Sequence, residues 1–359
     1  MKVFPICVLA AYVGGSLFGA DATVQDAGWS SKAAGGYLDQ RMSWWMDWAP
    51  AARDHQTFCV SCHTALPYAM ARPALRKALA ESGPSPQERR FLDNVTKRVR
   101  MWNDVAPFYP DAERGVPKTA ESRGTEAILN ALILARYQSP DAKLALDNMW
   151  ALQLKTGDAK GAWSWLQFHN APWEGDSQFY GATLAALAAG SAPSGYLASP
   201  DVQERLKLLR AYLAQESGAQ VPMNRLMLLW VSTKLPGILT VAQQNTVVEE
   251  VLGKQQQDGG FSLSSFVGAW KRHDNTPLET KSDGYATGLV TLVLQQPGIE
   301  ADQAKVKRGL VWLEQNQNKA EGRWLAYSLN KQRDLSSDIG KFMSDAATAY
   351  AVLALEHSK

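Results

Sequence analysis

Cysteine and histidine are scarce in this chain. Three cysteines and five histidines serve 359 residues, which excludes a disulfide-stapled scaffold and an array of zinc modules. Charge of one sign is missing as well. The formal net charge is +2, the basic residues are scattered, and no groove-reading motif occurs, so no nucleic-acid partner is expected. No apolar run beyond the N-terminus is long enough for a membrane span, and strand-like alternation is rare. What is present, 46% apolar and 20% charged residues, supports a large buried core.

The N-terminus carries the one sustained apolar run. Met1-Lys2 precedes residues 3–18, and Gly19-Ala20-Asp21-Ala22 follows with alanines at the −3 and −1 positions of an A-x-A cleavage site. Residues 1–22 are therefore predicted to be a secretory signal peptide and residues 23–359 the mature domain, periplasmic or secreted. Cys7 leaves with the leader, so the mature chain retains Cys59 and Cys62. In an oxidising compartment such a pair does not stay as idle thiols.

Both lie in Phe58-Cys59-Val60-Ser61-Cys62-His63-Thr64. Two thiols three apart with an imidazole directly attached suit c-type haem attachment: the sulfurs add to the vinyl groups and His63 binds the iron. One covalent haem c is the expectation. His169, Met223, Met343, His273 and Met70 are candidates for the sixth ligand, which is otherwise open. Two other readings stand beside it: a Cys59–Cys62 disulfide, or a share in a zinc site.

Helical patterning dominates. Six segments rich in small and apolar residues recur at 61–72, 122–137, 176–190, 222–234, 282–295 and 344–356. Between them lie six more charged amphipathic segments at 36–47, 87–101, 142–155, 201–215, 241–256 and 301–316. A helix apolar on most faces must be enclosed, and one with a charged face can lie outside. Six inside and six outside predict an all-α chain folded as a single (α/α)6 toroid; an open solenoid of helix pairs obeys the same alternation.

Some outer helices end in glutamine, then a glycine turn, then an aromatic: Gln255…Gly259-Gly260-Phe261, Gln317…Gly322-Arg323-Trp324 and Gln153…Gly161-Ala162-Trp163. This resembles the QW repeat of squalene-hopene cyclases, whose toroid is shared by prenyltransferase β subunits. The resemblance covers most of residues 34–359 and implies a terpenoid-cyclase-like toroid, in which the glutamine ties a helix end and the aromatic packs over it. The cyclases' Asp-x-Asp-Asp acid motif is absent, and the chain has residues for one toroid where they have two. The prenyltransferase zinc site does not map onto it.

In such a ring the N-termini of the inner helices share one rim. That brings together Cys59, Cys62, His63 and Thr64, then Arg123 and Glu126, Asp176 and Tyr180, Asp283 and Tyr285, and Asp345. Helix capping accounts for part of this set. Glu126, Asp176, Asp283 and Glu174 are the candidate proton-moving acids. The loop 162–175 carries three tryptophans, Phe168, His169 and Glu174, and suits a roof over an apolar ligand. The expected function is a haem protein doing redox chemistry or electron transfer, with an apolar or isoprenoid-like small molecule in the toroid and a periplasmic redox partner. The alternative is a haem-free toroid enzyme, terpenoid cyclase-like or glycan-cleaving, or a ligand-binding protein.

Overall fold

A computed structural model describes Met1, residues 28–175 and residues 177–358. The predicted leader beyond Met1, Cys7 within it, and Asp176 lie outside the described residues. The chain is all-α, with thirteen α-helices among those residues. Six are almost wholly buried: α2 (Ala65–Ala78), α5 (Lys118–Arg136), α7 (Phe179–Gly190), α9 (Pro222–Ser232), α11 (Gly284–Leu294) and α13 (Phe342–His357). Six carry polar outer faces: α1 (Ser31–Asp47), α3 (Pro86–Arg100), α6 (Ala142–Ala151), α8 (Pro200–Glu216), α10 (Val241–Leu252) and α12 (Gln303–Gln315). A single turn, α4 (Asp111–Arg114), sits in the proline-rich loop before α5. No described helix is long and apolar enough to cross a membrane.

The helix starts follow their sequence signals. Ser85 and Ser199 cap α3 and α8 with proline in the first turn, and Ser85 with Glu88 forms a full capping box. The buried helices pack on one another in a regular sequence. α2 contacts α5, α5 contacts α7, α7 contacts α9, α9 contacts α11, and α13 contacts both α11 and α2.

The glutamine–glycine–aromatic segments share one geometry. Gln153 Nε2 donates to the Gly161 and Arg205 carbonyls at 3.0 and 2.9 Å, and Gln255 Nε2 to those of Gly259 and Lys305 at 2.9 and 2.8 Å. Gln317 Nε2 reaches Gly322 and Ser30, at 3.2 and 3.1 Å. Each glutamine thus joins the end of one outer helix to the start of another: α6 to α8, α10 to α12, and α12 to α1. The aromatics fold back, and the indole N–H of Trp163 and of Trp324 donates to Met149 and Leu313.

The glycine in these turns is obligatory. Gly322 has φ +80°, and a Cβ there would stand 2.1 Å from the Ala33 carbonyl oxygen. Gly322→Ala is expected to lower folding stability by about 2–4 kcal/mol, read by urea unfolding; a loss within ~0.5 kcal/mol would contradict this close approach.

The boundary at the cysteine motif differs from expectation. The first inner helix does not begin at 61. Ser61 Oγ accepts the N–H groups of Thr64 and Ala65 at 3.2 and 3.1 Å, so the Cys-x-x-Cys-His segment forms a turn that precedes α2. Two short strands, β1 (Ala52–Arg53) and β2 (Thr57–Phe58), pair antiparallel and deliver the chain into that turn.

Candidate functional site

The turn is pinned from both sides. Cys59 N–H donates to the Ala51 carbonyl at 2.8 Å, and the Trp45 indole donates to the Cys59 carbonyl at 2.7 Å. The His63 ring stacks on Phe342 with centroids 3.8 Å apart and meets the edge of Trp45 at 5.0 Å.

His63 Nδ1 lies 2.9 Å from Thr64 Oγ1, and the Thr64 hydroxyl donates to Asp345 Oδ2 at 2.7 Å. A hydroxyl has one proton, and this one is committed to Asp345. Its oxygen therefore accepts from His63, so Nδ1 carries the ring proton and Nε2 keeps its lone pair. Asp345 also accepts from Tyr37 at 2.7 Å and from Arg41 at 2.8 and 3.1 Å. Burial raises its carboxyl, and Arg41, Thr64 and Tyr37 pull against that rise. Burial, then Arg41 and Arg333, lower His63 to about 3, so its imidazole is neutral at physiological pH.

His63 lines a cavity of about 220 Å³ together with Tyr109, Phe168, Trp173, Glu174, Arg333 and Phe342. Nε2 has no hydrogen-bond partner among the described residues. Arg333 makes no hydrogen bond or salt bridge there either, and burial lowers its pKa. Glu174 is held by a two-way backbone pairing with Asn170, at 2.9 and 3.0 Å. Its Oε2 is buried without a partner. Burial pushes its carboxyl up to about 8 against the pull of Asn170 and Lys118, so Glu174 is protonated at neutral pH. An imidazole held neutral and a carboxylic acid held protonated thus share one small space, a pairing that suits proton transfer.

Met343, a candidate sixth ligand, also lines this cavity, whereas the other candidate acids and histidines lie elsewhere. Glu126 is fully buried in an ion pair with Arg98, 2.5 Å apart. Asp283 is the N-cap of α11: its oxygens accept from Ala286 N–H at 2.9 Å and Leu263 N–H at 2.6 Å. Burial raises Asp283 to about 7, although both oxygens are occupied. The His169 ring stacks on Trp270 at 4.0 Å and meets His273 at 4.9 Å, and it is not part of the His63 cavity wall. Asp176 lies outside the described residues. In the tryptophan loop, Trp163 and Trp165 are wholly buried and hydrogen-bonded to backbone carbonyls, whereas Trp173 faces the cavity.

Whether these residues fit a haem is a question of space and aim. Cys59 and Cys62 are buried, unbridged, and not in the wall of the His63 cavity. Burial pushes the Cys59 thiol up to about 12 and Cys62 well above its ordinary value. The cavity is smaller than the roughly 300 Å³ at which ligand pockets begin, and Phe342 covers one face of the imidazole. As packed, the three residues do not fit a macrocycle: Phe342 and Trp173 would have to move, and the thiols would have to turn to the wall. Among the described residues no three His, Cys, Asp or Glu side chains are grouped to hold a metal ion.

Arg41, Arg333 and Phe342 were not legible as site residues. Arg41 belongs to an outer helix, and the other two belong to a loop and helix start without a motif. No protein-family model matches the chain, and no curated protein matches it.

Proposed function

We propose that the chain is an exported single (α/α)6 toroid of terpenoid-cyclase type that moves protons on a small anionic molecule at the His63 rim. The toroid reading is supported by the run of helix contacts from α2 through α5, α7, α9 and α11 to α13 and back to α2. The Gln317–Ser30 hydrogen bonds between α12 and α1 support it as well.

The observation that carries the chemistry is the Asp345–Thr64–His63 chain, which leaves Nε2 unprotonated in the cavity shared with Glu174. In this reading Nε2 accepts a proton from the substrate and the Glu174 carboxylic acid delivers one. The substrate is isomerised without an oxidant, and the proton taken by His63 passes back to the Glu174 carboxylate through solvent, which restores both groups. Arg333 holds the substrate's anionic group. With that charge neutralised, one of the two cations depressing His63 is cancelled, so Nε2 gains basicity when substrate is bound.

A second reading keeps the haem, because the same free Nε2 follows directly on two thiols. There Cys59 and Cys62 would attach the porphyrin and His63 would ligate iron, supplying one-electron or oxygen chemistry, after displacement of Phe342.

Two measurements on the exported protein decide between them. Nitrogen-15 NMR of His63 is expected to show the Nδ1–H tautomer, still neutral at pH 5. Intact mass and visible spectrum are expected to show no porphyrin. Titration of His63 near 6.5, or an Nε2–H tautomer, would overturn the acid–base reading. A Soret band with added porphyrin mass would establish the haem.

A further inference from the structure

A second cavity lies at the other end of the buried helices. It measures about 550 Å³ and is lined from the C-terminal ends of α2, α5, α9, α11 and α13. His63 precedes α2 and Lys77 ends it, so about 20 Å of helix separates the two sites.

The polar groups on this wall are mostly donors. Lys77, Arg136 and Lys234 surround it, with Glu356 as the carboxylate of the wall. Arg136 has one long hydrogen bond, 3.4 Å to the Met70 carbonyl. Lys234 is lowered by burial and then by Arg136, two cations placed near each other. Trp230 is 5% exposed, and its indole N–H has no acceptor. Leu292, Leu353 and Ala74 form the apolar part of the wall. The cations in part answer the carbonyl ends of the converging helices. That does not account for Trp230, a neutral donor whose N–H is buried without an acceptor. An acceptor brought by a ligand satisfies it.

We infer that this cavity binds an amphipathic anion, a carboxylate or phosphate head on a hydrocarbon chain. Arg136, Lys234 and the Trp230 N–H hold the head, and Leu292, Leu353 and Ala74 hold the chain. The volume falls within the roughly 300–1,000 Å³ of ligand pockets. The site is separate from the His63 cavity and does not depend on the reaction proposed there.

The test titrates the full chain with decanoate, decyl phosphate, decanol and inorganic phosphate, by calorimetry and by the NMR shift of the Trp230 indole N–H. Saturable 1:1 binding of decanoate or decyl phosphate is expected, with a downfield indole shift. Decanol and inorganic phosphate should bind at least tenfold more weakly. The stronger of the two anions identifies the head group. Arg136→Met/Lys234→Met should weaken binding at least tenfold, and Trp230→Phe several-fold. His63→Gln should leave it unchanged. Both cations are solvent-exposed, so the double variant is expected to keep the parent's circular dichroism and melting temperature. Equal affinity for decanol, undiminished binding in the double variant, or no saturable binding of either anion would overturn the inference.

Discussion

Asp345→Asn is expected to lower folding stability by about 3–5 kcal/mol, the usual penalty for breaking a buried charge pair. The carboxylate accepts four hydrogen bonds: two from Arg41, one from Tyr37 and one from Thr64. Its side chain is 1% exposed and that of Arg41 4% exposed. Asparagine offers one acceptor oxygen and turns an N–H₂ toward two of these donors, so the guanidinium loses its charge partner in the interior. Asp338 provides the control. It also bonds Arg41, at 2.9 Å, but its side chain is 52% exposed, and Asp338→Asn is expected to cost under ~1 kcal/mol. The same substitution tests the site. Without a carboxylate to receive it, the Thr64 proton is free to turn toward His63, and the Nε2–H tautomer should appear in the nitrogen-15 spectrum. Equal stability of the two variants, or an unchanged tautomer in the first, would show that Asp345 does not set the state of His63.

Asp345 also shows how far the sequence could be read. Ser282-Asp283 and Ser344-Asp345 open two of the recurring apolar segments, so either aspartate can be a helix cap. Asp283 is one. α13 starts two residues before its serine, at Phe342, so Asp345 falls inside the first turn and its side chain reaches Arg41, 304 positions away in sequence. Local patterning reveals helix type and helix ends, because those follow from the composition of each face and from caps such as Ser85-Pro86. It also revealed the glutamine–glycine turns, whose glutamine, glycine and aromatic lie in one short segment, but not the distant carbonyl that each glutamine also reaches. It does not reveal which distant charge enters the core. Arg98 belongs to a charged amphipathic segment, and Glu126 reads as a rim acid able to move protons. In the structure each is the other's partner, with neither side chain exposed. Cys59, Cys62 and His63 show the same limit. Their spacing states which bonds they can make, while Phe342, 279 residues beyond His63, shapes the space available to them.

Glu174→Gln is expected to change strongly how stability depends on pH. In the folded chain Glu174 titrates at about 8, against an ordinary value of 4.5. Between those values the folded state holds a proton that the unfolded state has released. The stability from the protonated group is complete below pH 4.5 and is lost as pH rises through about 8. At 1.36 kcal/mol per pH unit the loss amounts to roughly 3–5 kcal/mol. Glutamine imitates the protonated acid and does not ionise, so at pH 9 the variant should exceed the parent by that amount, and at pH 4 the two should coincide. Asp283 also rises, to about 7, but it is present in both proteins and cancels from the difference. His63 has the opposite sign. Its folded value of about 3 lies below the ordinary 6.5, so the unfolded state takes up the proton first and stability falls as pH drops through that interval. His63→Gln should therefore lose roughly 3 kcal/mol less than the parent between pH 7 and pH 4. Urea unfolding across this range measures both differences. Parallel curves for parent and Glu174→Gln from pH 4 to pH 9 would mean that Glu174 ionises at an ordinary pH and is not the protonated acid that the proton-transfer reading requires.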